Sequence, residues 1–167
     1  MHPRECAPST RRQRTTMKRL IPFALLIASG LAACATDGRQ TDAEKLAFYR
    51  GHAGEPVKDF KYFGRLNGWT PLGDGALAVW TKPSEGYLLE LSGPCQDLDY
   101  ATAISVTQFG GRVSAKFDDV IPLGAGTSSI NIPCRIETIR SLDVKALRAS
   151  QKELREAAAV EREAGKR

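Results

Sequence analysis

Few residues of this 167-residue chain are of types that do chemistry, and their spacing narrows that chemistry quickly. The cysteines are Cys6, Cys34, Cys95 and Cys134, and the histidines are His2 and His52. Acyl transfer by a Ser-His-Asp set needs a histidine base. His52 sits in a Gly-rich turn, and no GxSxG run supplies a nucleophile, so it reads as an exposed loop histidine. Paired carboxylates occur as Asp97 with Asp99 and Asp118 with Asp119. A glycosidase needs two carboxylates opposed across a cleft. Neighbours on a strand, such as Asp118 and Asp119, point to opposite faces instead. Asp118/Asp119 therefore reads as a strand end and Asp97 as the cap of a helical turn. No DxDxDG loop is present for calcium, and two thiols with one histidine do not close a zinc tetrahedron. The expectation is no catalytic residue, no metal and no cofactor. Trp69, Trp80, Tyr87 and Phe117 are the large aromatics of the central region and read first as core. Trp69, Trp80 and Tyr87 are also the candidates for lining a small-ligand pocket at a barrel mouth.

Charge excludes one class of partner. The chain holds 24 Lys+Arg and 19 Asp+Glu. Arg4, Arg11, Arg12, Arg14, Lys18 and Arg19 against Glu5 place a net +5 in residues 1–33. Residues 34–167 carry 18 basic and 18 acidic side chains. Phosphate binding needs surplus cations on the folded part, so no nucleic-acid partner is expected.

Residues 1–33 read as a leader. Met17-Lys18-Arg19 is a short positive stretch, Leu20 to Ala28 is apolar, and Ser29 to Ala33 are small or apolar. That order is the secretory signal pattern, with the signal peptide at 17–33 and Met17 as the expected start. The uncharged run from Leu20 to Ala33 is 14 residues, shorter than the roughly 20 of a spanning helix. Leu31-Ala32-Ala33-Cys34 resembles the lipobox of bacterial lipoproteins. That resemblance implies acylation of Cys34 after cleavage, and with Ala35 next in the chain it implies release to the outer membrane. Several acyl chains would anchor firmly where one alone binds only marginally.

With Cys6 in the leader and Cys34 in the lipobox, Cys95 and Cys134 remain. Two cysteines left over in an exported domain most simply make one disulfide. The chain-entropy argument gives such a 39-residue span about 4 kcal/mol.

The elements that would position these residues are mostly strands. Residues 34–41 read as a tether. Thr41 and Glu44 fit a capping box, which predicts a helix from Asp42 to about Gly51 carrying Leu46, Phe48 and Tyr49. From Val57 the period becomes two. Asn67-Gly68 and Asp74-Gly75 read as two-residue hairpin turns, and Lys82 to Gly86 and Gly110-Gly111 as further turns. Tyr87, Leu89 and Leu91 share one face of a strand, Ile104 and Val106 point inward, and so do Val113, Ala115 and Phe117. Ile130 and Ile132, then Ile136 to Ile139, give the last strands. Arg112, Arg135 and Arg140 are expected to pair with Asp118 and Glu137. The prediction is a mainly β domain over 42–147, a small antiparallel barrel or sandwich of about seven strands flanked by two helices. Asp143 caps the second helix, whose thin stripe of Val144, Leu147, Leu154 and Ala158 makes 148–167 a frayed helical tail in preference to a partner-binding one.

A wider resemblance rests on the run Trp69…Leu72-Gly73-Asp74…Val79-Trp80-Thr81, then Tyr87 to Leu91, Cys95, Leu98, Phe117-Asp118, Cys134-Arg135-Ile136, Ile139-Arg140 and Leu142-Asp143. It resembles an uncharacterised-domain family of short proteobacterial lipoproteins, over residues 55–147. Ser141 stands where that family tends to have proline. The resemblance implies a periplasmic lipoprotein with a cysteine pair, and no activity. The expected function is a non-enzymatic, lipid-anchored binding or structural module facing the periplasm at the outer membrane. The membrane is its partner through Cys34, with an envelope protein as a second. The alternative is a small-ligand carrier, and a hydrolase using Asp118 or Asp97 comes last.

Overall fold

The computed structural model describes residues 40–124 and 132–166, all within the compact unit Gly38–Arg167. The leader, Cys34, Ile130 and nearly all of the tether lie outside the described residues. Thr41 caps α1 (Asp42–Arg50) as a full capping box: its hydroxyl accepts from the Glu44 N–H, and Glu44 reaches back to the Thr41 N–H at 2.8 Å. The chain then enters β1 (Ala53–Val57), earlier than the change of period at Val57 suggests. Here Pro56 is tolerated because β1 lies on the outer side of one pairing.

A seven-stranded antiparallel sheet follows the order β3 (Gly68–Pro71), β4 (Ala76–Lys82), β5 (Glu85–Leu91), β9 (Cys134–Leu142), β8 (Asp119–Leu123), β6 (Ala103–Val106). Along one edge of β9, β8 pairs at Cys134–Arg135 and β1 at Ile139–Leu142. The other edge of β9 takes β5 from Ile136 to Leu142. A second sheet holds β2 (Asp59–Lys61) and β7 (Arg112–Ser114). The sheet stays open: the barrel alternative is not formed.

Burial on both faces explains why β4 reads as a continuous apolar run rather than an alternation. Leu77, Val79, Leu89, Ile136 and Ile139 face one core, completed by Phe60, Tyr62, Val113, Val120, Cys95 and Cys134. Ala76, Ala78, Leu88 and Leu142 face another, closed by Tyr49 of α1 and by Val144 and Leu147 of α2 (Val144–Ala164). Small alanines on that face let the helices approach.

Turns account for most departures from the sequence reading. Asn67-Gly68 does not join two paired strands, since Gly68 opens β3 and β2 pairs with β7 instead. Asp74 and Gly75 lie inside a longer β3–β4 turn, in which Gly73 carries the positive φ of 94°. Gly110-Gly111 is a two-residue turn closed by mutual hydrogen bonds of Phe109 and Arg112, with φ of 59° and 75° that side chains resist. Phe117 is 78% exposed, not inward, because Lys116 adopts φ 69° and the chain turns after Ser114. Ile132 lies ahead of β9 and is exposed. Asp143 caps α2 as expected, accepting from the Ala146 N–H at 2.9 Å.

Candidate functional site

Cys95 and Cys134 are joined, with sulfurs 2.01 Å and Cα atoms 5.6 Å apart. Cys134 opens β9 and Cys95 follows the Gly93-Pro94 break, so the bond ties the loop after β5 to the central strand. Both half-cystines are buried, and the Cys95 N–H donates to the Asp74 carbonyl at 2.7 Å. The β3–β4 turn, this loop and the 3-10 turn Leu98–Tyr100 therefore meet at one end of the molecule. A groove of about 680 Å³ opens there, lined among others by Asp74, Asp97, Asp99, Tyr100 and Ile132. Partial burial, with Asp42 and Asp74 nearby, raises the Asp99 carboxyl from its ordinary value. Asp97 occupies the cap position of the 3-10 turn in a left-handed conformation, but its side chain makes no cap bond.

The three candidate pocket aromatics do not converge. Register pairs Trp69 with Val79 and Val79 with Tyr87, so these share the disulfide-bearing core. There Tyr87 stacks on Phe60, with ring centroids 4.4 Å apart. Trp80, one residue on, points to the helix face and meets Tyr49 edge-on at 6.5 Å. Gly86 stands opposite Trp80, where a Cβ would come within 3.1 Å of the indole. Trp80 and Tyr87 thus lie on opposite faces of the sheet and cannot line one barrel mouth.

Asp118 and Asp119 are engaged in structure. Asp118 is buried and accepts from the Thr107 hydroxyl at 3.0 Å and the Ser114 N–H at 2.8 Å. Asp119 pairs with Arg135 at 2.9 Å, Arg112 with Asp59, Arg140 and Arg50 with Glu90, and Lys116 with Glu137. The arginines thus find partners other than the expected Asp118 and Glu137. Tyr87 donates to Glu85 at 2.8 Å. Burial, then that bond to a carboxylate, pushes the Tyr87 hydroxyl up to about 12. Glu85 in turn is held low by hydrogen bonds from Lys82 and Tyr87.

His52 is half-buried, not an exposed loop residue. Its Nδ1 lies 2.8 Å from the Phe48 carbonyl and its Nε2 3.1 Å from the Ser150 hydroxyl. A carbonyl only accepts, so Nδ1 carries the proton, and the ring fastens α1 to α2. Sequence reasoning missed this role because Ser150 is 98 residues away.

Of the further grooves on the described surface, two are lined by several cationic side chains. One, of about 650 Å³, follows the β9 edge where β1 and the β7–β8 turn diverge, beside Lys58, Lys116 and Phe117. The other, of about 440 Å³, lies between α1 and α2. None of the three candidate aromatics lines any of these grooves. Among the described residues no helix is long and apolar enough to cross a membrane, and no cluster of three metal-ligating side chains occurs.

Comparison with protein families matches residues 17–158 of the chain to a family of unknown function (DUF6491). The chain belongs to this family. The match takes in Cys34, Cys95, Cys134, every described strand and α2 as far as Ala158. No curated protein and no solved structure matches the chain.

Proposed function

We propose that this DUF6491 protein is a lipid-anchored, non-enzymatic binding or structural module, held by Cys34 at the periplasmic face of the outer membrane. The observation that carries the reading is the pairing of the two cysteines left once Cys6 is assigned to the leader and Cys34 to the lipid. Disulfides persist in oxidising compartments such as the periplasm. The family match opening at Met17 supports the same reading, because the match begins where the leader-like pattern begins. The engagement of Asp118, Asp119 and His52 in structural bonds favours a binding role over a hydrolytic one.

Labelling cells with radioactive palmitate tests this. The wild-type chain takes up label and stays in the membrane fraction, whereas Cys34→Ser takes up none and keeps residues 17–33. Absence of label from the wild type, or equal label in Cys34→Ser, overturns the proposal.

A further inference from the structure

The groove between α1 and α2 differs from the other two in its charge. Its lining includes Lys45, Arg155 and Arg162 with Phe48, Leu154 and Ala158, and contains no carboxylate. Lys45 is held by Asp42 at 2.8 Å. Arg155 makes no ion pair among the described residues, and Arg162 spends only its Nε–H on the Ala158 carbonyl at 3.0 Å. Gln151, Leu154, Arg155, Ala158 and Arg162 recur at spacings of three and four along α2, so cations and apolar side chains share one face. Leu154 is 48% exposed on it. The Glu156 carboxylate pairs with Lys152 and is not among the lining side chains.

The position of this groove matters as much as its charge. Gln40 lines it, and six peptide units separate Gln40 from Cys34. A fully extended chain covers at most about 3.3–3.6 Å per residue, which keeps the groove mouth within about 20 Å of any lipid on Cys34. A surface tied so close to a bilayer meets headgroups at high effective concentration.

We infer that the α1–α2 groove is a docking surface for the anionic headgroups of the membrane that carries the anchor. Arg155 and Arg162 contact lipid phosphates, and Leu154 and Phe48 rest at the interface, as interfacial helices do. The inference rests on the lipid-anchor reading and assigns α2 a role beyond closing the helix-side core.

The full chain, purified from membranes and reconstituted into vesicles, provides the test. One set is phosphatidylcholine alone and the other phosphatidylcholine with phosphatidylglycerol. Flotation reports the anchor, and hydrogen exchange of residues 151–162 reports the groove. The expected result is flotation with both sets and exchange slowed about tenfold on the anionic set only. Arg155→Gln/Arg162→Gln abolishes the slowing, and Arg155→Lys/Arg162→Lys retains it. Flotation with equal exchange on both vesicle sets overturns the groove assignment and leaves the anchor standing. So does protection that appears only when envelope proteins are added, which marks a protein partner. Failure to float with either set sinks the anchor reading itself.

Discussion

The Tyr87 hydroxyl donates to Glu85 while its ring stacks on Phe60 in the core. Burial and the neighbouring carboxylate both disfavour its ionised form, which places its folded value at about 12. An unfolded chain gives up the same proton near 10, as ordinary tyrosines do (about 10). Between those values the unfolded state binds fewer protons, so this group's contribution to stability is lost as pH rises. Titration followed by tyrosinate absorbance should lose its highest-pH component in Tyr87→Phe, and that variant's stability should fall less steeply on the alkaline side. Loss of a component near the ordinary value instead would contradict the assignment. At this scale the sequence was informative where a residue acts locally. The Thr41–Glu44 cap and the Asp143 cap are both formed as their spacing predicts. Asp118 was illegible because its bond to the Ser114 N–H depends on Lys116 taking a left-handed conformation, which nothing in a lysine announces.

Within α2, one helix divides into two energetic regimes. Leu147 is buried between the sheet and α1, whereas Leu154, two turns later, is half exposed. Leu147→Ala should therefore cost about 2–5 kcal/mol. Leu154→Ala should stay within about 0.5 kcal/mol. Urea unfolding of both variants checks this, and equal costs would mean that the C-terminal half packs as firmly as the first. The helix stripe and strands β4 and β5 were legible because their patterns are local. The β2–β7 pair was not, since it joins segments 53 residues apart, as the Asp59–Arg112 contact records. The Asn-Gly signal at Asn67 pointed to a hairpin that this distant pairing overrides, and a single sequence holds no cue to which strand outbids a neighbour.

For the whole molecule, the decisive feature is a sheet covered on both faces and tied at one end by Cys95–Cys134. Composition, turn spacing and cysteine count made the β class and the bond readable in advance. The open sheet and the separation of Trp80 from Tyr87 were not, because they follow from strand order and register, which alternation alone does not fix. Gln40 lines the basic α1–α2 groove, which ties the headgroup proposal to the proposed lipid anchor on Cys34. That anchor and the disulfide together define the account, and one measurement reads both: the intact mass of the protein from the membrane fraction, taken without reduction. The account predicts residues 34–167 plus acyl groups and minus two hydrogens. An unacylated chain, or one that still carries residues 17–33, would contradict it.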